Sequence, residues 1–66
     1  MKNTLKVARA KLDFTQQDLA DKIGVSRQTI NSIEKAKYVP STVLALKMAQ
    51  VFKTTVEALF MLEEGD

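Results

Sequence analysis

Between Thr15 and Lys35 the chain spells two short helices with almost nothing between them, and that spacing limits the folds open to it. Thr15 is a strong N-cap, and Asp18 three residues later forms a weak capping box. The helix it opens runs from Gln16 to Ile23, with Leu19, Ala20 and Ile23 on one face. Gly24 closes it, because a left-handed residue costs glycine least. Val25 is apolar inside the turn and is expected to plug into the core. Ser26 then caps a second helix, Arg27 to about Lys35.

The flanking segments are also helical in pattern. Leu5, Ala8 and Leu12 recur at i, i+3 and i+7, predicting a first helix over 5–12 with Asp13 and Phe14 at its exit. A linker, Ala36 to Pro40, precedes a fourth helix that starts at Ser41 or Thr42 and reaches Phe52. Thr54 with Glu57 makes a second capping box for a fifth helix ending near Leu62. Short terminal strands fit around Lys2 to Thr4 and Met61 to Glu63. The expected class is all-α: a single domain over 1–66, five helices, the helix pair at 16–35 and a C-terminal segment at 55–66.

With 66 residues the core is small. There is no cysteine and no histidine, so disulfides and the usual metal centres are not available to reinforce it. A second subunit or unusually good helix packing is left. No metal, cofactor or small-molecule ligand is expected. The longest apolar run is Ala58 to Leu62, five residues, and Val43 to Leu46 is four, both far short of the ~20 residues that cross a bilayer, so a cytoplasmic location is expected. The missing histidine and cysteine, and the lack of paired carboxylates in a plausible pocket, argue against an enzyme.

The net charge is only +2, but its distribution is uneven. Glu63, Glu64 and Asp66 are three of the eight acids, so residues 1–62 carry ten bases against five acids, or +5. On a wheel at ~100° per residue, Ile30 and Ile33 mark the buried side of the second helix of the pair. Gln28 and Lys35 lie most nearly opposite, then Ser32 and Asn31, and Arg27 reaches outward at the N-terminus. That face holds amides, a hydroxyl and two cations, without one carboxylate. These are the groups that read base edges: Arg on guanine O6 and N7, Gln or Asn on adenine N6 and N7, Ser on several. RNA is a weaker fit, since two arginines and one tyrosine offer little stacking surface.

The stretch TQQDLADKIGVSRQTINSIEKAKYVPS resembles the phage-repressor family of helix-turn-helix proteins, the Cro/repressor or Xre type. The resemblance covers nearly the whole chain and rests on Gln17, Leu19, Ala20, Gly24, Val25, Ser26, Ile30, Ile33, Glu34 and Lys37 at family spacing. The segments YVPS and LALKMAQVF, separated by Thr42 and Val43, resemble a compact subgroup of single-domain regulators. The resemblance implies a five-helix DNA-binding domain whose recognition helix, 27–35, enters the major groove. It assigns base reading to Arg27, Gln28, Asn31 and Ser32. Contacts to the DNA backbone fall to Gln17, Lys35, Lys37 and Tyr38, with Gln16 and Thr29 beside them. It implies a structural ion pair between Arg9 and Glu34. One departure stands out: the family usually has Gly where this chain has Ala36. Either the recognition helix ends differently here, or the loop carrying Lys37 and Tyr38 is altered.

The fourth helix has more apolar residues than one stripe needs. Leu44, Ala45, Met48, Ala49 and Phe52 fill a broad face, leaving Val43 and Leu46 on the other side. Val56, Leu59 and Phe60 lie together, while Met61 and Leu62 point elsewhere. Surplus apolar surface on so small a chain suggests a partner. A homodimer interface is expected at Val43, Leu46, Phe60, Met61 and Leu62, and a dimer on double-stranded DNA reads an inverted repeat. The expected function is a sequence-specific transcriptional regulator, a repressor at a palindromic operator. The alternative is an antitoxin-like protein-interaction module that also binds DNA.

Overall fold

The computed structural model describes all residues, 1–66, as five helices and a two-stranded sheet. In chain order these are β1 (Lys2–Asn3), α1 (Leu5–Lys11), α2 (Gln16–Ile23), α3 (Arg27–Glu34), α4 (Thr42–Val51), α5 (Val56–Leu59) and β2 (Phe60–Met61). No helix is long and apolar enough to cross a membrane.

Local chemistry places most of these boundaries. Thr15 Oγ1 accepts from the Asp18 N–H at 3.0 Å and the Asp18 carboxylate accepts from the Thr15 N–H at 2.9 Å, a complete capping box. Ser26 caps α3 through the Thr29 N–H, and Ser41 caps α4 through the Leu44 N–H. α5 is capped by Thr55, which accepts from the Ala58 N–H at 3.2 Å, and not by Thr54. The reason is backbone closure: the Thr54 N–H is already engaged by the Ala49 carbonyl at 2.9 Å, ending α4.

Four helices end on a left-handed residue, and three of those residues are not glycine: Asp13, Ala36 and Lys53, against Gly24. After α3 the Lys37 N–H reaches the Ser32 carbonyl and the Ala36 N–H reaches that of Ile33, both at 2.9 Å. The same crossed pair of bonds occurs at Phe14 with Asp13 and at Thr54 with Lys53. This is the Schellman closure, in which a left-handed residue satisfies the last free carbonyls. Ala36 at φ 59° therefore keeps the loop conformation that glycine permits, at the steric cost of its Cβ.

Leu5, Leu19, Ile30, Ile33 and Met48 are fully buried and form the centre, with Ala20, Ile23, Ala45, Ala49, Leu59 and Phe60 around them. Val25 packs against this cluster from the turn, as its apolar side chain requires. Leu12 does not join it: α1 stops at Lys11 and Leu12, in the exit turn, is 47% exposed. The fifth helix is also shorter than its pattern. Phe60 adopts an extended backbone, φ −126° and ψ 132°, and the chain leaves as β2. β2 pairs antiparallel with β1, Asn3 opposite Phe60 and Lys2 opposite Met61.

Asn3 anchors this small sheet to α3. Its Nδ2 donates to the Ile33 carbonyl at 2.8 Å while its Oδ1 accepts from the Leu5 N–H. Beyond β2 the acidic tail folds back. The Met1 amino group lies 3.3 Å from both Glu63 and Asp66 carboxylates, whose hydrogen bonds raise its pKa.

Candidate nucleic-acid interface

α2 and α3 pack through Leu19, Ala20, Ile23, Ile30 and Ile33, and Gly24 at φ 78° makes the turn between them. The Gly24 and Val25 N–H groups both bond the Ala20 carbonyl, at 2.9 and 3.0 Å, so α2 ends abruptly. With its apolar stripe spent on the core, α3 turns its other residues outward. Arg27 and Gln28 are exposed, and Asn31 and Ser32 are half-buried. Lys35, Lys37 and Tyr38 are exposed at the far end. Thr29 is half-buried, and its hydroxyl lies 2.9 Å from that of the cap Ser26.

The only carboxylate on α3, Glu34, is neutralised by α1. Arg9 Nε donates to Glu34 Oε2 at 2.6 Å and Arg9 Nη2 donates to Oε1 at 3.0 Å, a bidentate pair. Arg9 Nη1 also donates to the Phe14 carbonyl at 2.8 Å, which ties down the α1–α2 turn. Burial pushes the Glu34 carboxyl up, but the hydrogen bonds from Arg9 and Gln16 outweigh it and hold its pKa below the ordinary value. The outward face of α3 is thus free of negative charge, as an anionic partner requires.

The two glutamines opening α2 behave differently. Gln17 is exposed and its Nε2 donates to Asp21 at 2.8 Å, one turn on. Gln16 points the other way. Its Nε2 donates to Asn31 Oδ1 at 3.3 Å and to Glu34 Oε1 at 3.2 Å, joining α2 to α3. Sequence reasoning placed Gln16 beside the phosphate contacts and missed this bridge. No periodicity reports which of two consecutive glutamines crosses to a neighbouring helix.

Among the residues expected at a subunit interface, Val43 and Leu46 on α4 are 61% and 53% exposed and Leu62 is 81% exposed. Met61 is half-buried. Phe60 must be removed from that group: it is 7% exposed, because β2 turns it into the core beside Leu59. Val39, 62% exposed in the loop after α3, was not singled out by sequence; standing next to Tyr38 between two helices, it has no periodic signal.

A tight helix pair whose second helix presents an acid-free polar face is a helix-turn-helix of the kind that binds DNA. Comparison with known proteins agrees. The Helix-turn-helix family model matches residues 5–59. An uncharacterized HTH-type transcriptional regulator of Methanocaldococcus jannaschii is 53% identical over 66 residues, covering the whole of both chains. The HTH-type regulator YgzD of Bacillus subtilis is 47% identical over 64 residues, 97% of each chain. One from Archaeoglobus fulgidus is 45% identical over all of this chain and 93% of its own. The chain belongs to the Cro/repressor (Xre) family of helix-turn-helix transcriptional regulators.

Proposed function

We propose that this regulator is a repressor that binds an inverted-repeat operator as a homodimer, with α3 of each subunit in the major groove. The observation that carries it is the α3 face: Arg27, Gln28, Asn31 and Ser32 point away from the core, and Glu34 is masked by Arg9. In this reading those four side chains read bases. Gln17, Lys35, Lys37, Tyr38 and the Thr29 region hold the phosphates on either side. Gln16 contributes through the backbone N–H at the start of α2, a helix end that favours an anion, since its side-chain amide is engaged within the protein.

The dimer rests on the exposed apolar groups Val43, Leu46 and Leu62, with Val39 added, and on the half-buried Met61. One module of this size makes few base contacts. Two modules with half-sites ~34 Å apart supply the contacts needed for specific binding of order 10⁻⁸ to 10⁻¹¹ M. Selection of bound duplexes from random DNA tests this directly. An enriched inverted repeat supports the reading. No enrichment from folded, dimeric protein would transfer the activity to a protein partner.

A further inference from the structure

α1 and the turn between α4 and α5 enclose a groove of about 530 Å³. Val7, Ala8 and Leu12 form one wall, and Phe52, just after α4, and Leu59 of α5 form the other. Arg9 turns toward Glu34 on α3. Val7 and Lys11 stand two positions to either side of Arg9, about 200° around the helix, so they lie on the side of α1 away from α3. Nothing in the chain covers the apolar wall: Val7 is 56% exposed and Leu12 47%. Leu12 fits the apolar period of α1, yet it faces the groove and not the core. The charged groups at the rim are of one sign. Lys11 and Lys53 are both exposed, neither forms an ion pair, and no acid lines the groove. The backbone fixes where Lys53 stands. It takes the left-handed turn after α4 at φ 53°, with its N–H on the Gln50 carbonyl at 3.2 Å and the Thr54 N–H on that of Ala49 at 2.9 Å.

We propose that this groove is a binding site for a small anionic amphiphile, an aliphatic carboxylate whose tail lies against Val7, Leu12 and Phe52 and whose head sits between Lys11 and Lys53. The volume falls in the ~300–1,000 Å³ range of small-molecule sites, and the lining has their character, apolar walls with a few polar groups that fix orientation. The lysine stems extend the apolar walls while their ammonium groups stay at the mouth. A neutral apolar molecule answers the walls and leaves two cations unpaired. An inorganic anion answers the cations and leaves the walls in water. A carboxylate on an apolar tail answers both. The groove is walled on two sides, which selects a single molecule over a membrane surface. Sequence reading expects no small-molecule ligand, because the two walls come from opposite ends of the chain. The site stands apart from the proposed DNA contacts and does not depend on them.

The test is a ¹⁵N NMR titration of the full chain with monomeric decanoate, with decanol as the neutral control, on the parent and on variants at exposed positions. Decanoate is expected to give saturable shifts confined to the amides of Val7 to Leu12 and of Phe52 to Thr54. Decanol is expected to bind about fivefold more weakly, since it leaves both cations unpaired. Lys11→Gln combined with Lys53→Gln keeps both stems and removes both charges. It is expected to weaken decanoate by about fivefold and to leave decanol unchanged. Leu12→Asn, which alters the wall and not the charge, is expected to weaken both. The absence of a saturable shift, shifts spread equally over Val39, Val43 and Leu46, or equal affinity for decanol and decanoate overturns the site. Binding to phosphatidylglycerol vesicles without binding to monomeric decanoate assigns the two lysines to a membrane surface and overturns it. Dissociation of a dimer by decanoate assigns the groove to a second copy of the chain, and that also overturns it.

Discussion

Arg9 and Glu34 meet in a two-bonded ion pair, Nε to Oε2 at 2.6 Å and Nη2 to Oε1 at 3.0 Å, with side chains only 13% and 7% exposed. The pair fastens α1 to α3. Breaking one side of a buried pair strands the other charge, which costs roughly 3–5 kcal/mol. Arg9→Ala is therefore expected to destabilise the fold by about 3 kcal/mol in urea denaturation. A double replacement, Arg9→Met with Glu34→Leu, is expected to recover most of that loss because no charge remains to be solvated.

The same pair sets an acid limit. Folding lowers the Glu34 pKa from its reference value of 4.5, so the unfolded chain takes up the proton first. Its contribution is present above the unfolded value and is lost as pH falls through the folded one. Asp18, whose carboxylate accepts from the Thr15 N–H, shifts in the same direction. Urea midpoints are expected to hold steady from about pH 7 to about pH 5 and to fall below about pH 4. Glu34→Gln is expected to flatten that fall while lowering stability at neutral pH.

Ala36 sits at φ 59°, in the left-handed region that favours glycine. A left-handed alanine costs roughly 1–2 kcal/mol, part of which glycine returns as unfolded-state entropy. Ala36→Gly is expected to stabilise the protein by about 1 kcal/mol, read as a higher melting temperature, and to leave DNA affinity intact because the loop bonds from Lys37 and Ala36 do not change.

Base-reading and backbone roles separate by salt and sequence. Gln28→Ala is expected to cost about 1–3 kcal/mol on the selected operator and to relax one position of it. Lys37→Ala is expected to weaken binding to every duplex and to lower the slope of affinity against salt by about one charge. Fluorescence anisotropy on operator and scrambled DNA at several salt concentrations distinguishes the two; equal losses of Gln28→Ala on both duplexes would show that α3 is rotated from the assigned register.

Exposed and buried apolar residues of the C-terminal region should part company on mutation. Leu46→Glu is expected to yield folded monomer in sedimentation, because the side chain is already in solvent within one subunit. Phe60→Ala is expected to cost about 3–5 kcal/mol of folding stability, because the ring is in the core. A dimeric Leu46→Glu would move the interface elsewhere.

The amino-acid sequence by itself determined what depends on neighbours a few positions apart. Thr15 with Asp18, Gly24, and Ser26 with Thr29 act within one turn of chain, so α2, the turn after it and the start of α3 are legible to the residue, and the end of α3 to within one. The wheel of α3 follows from Ile30 and Ile33, and its outward residues follow from those two. The left-handed backbone at Ala36 lay between two local alternatives, and only the crossed bonds to Ser32 and Ile33 decided it. Tertiary structure decided the rest because the partners are distant in sequence. Phe60 reads as a helix end until β2 pairs with β1, 57 positions away, and turns it inward. Thr55 becomes the α5 cap only because the Ala49 carbonyl takes the Thr54 N–H. Gln16 and Asn31, 15 positions apart, meet because two helices cross at Gly24, and a single hydrogen bond between side chains leaves no trace in periodicity, composition or charge.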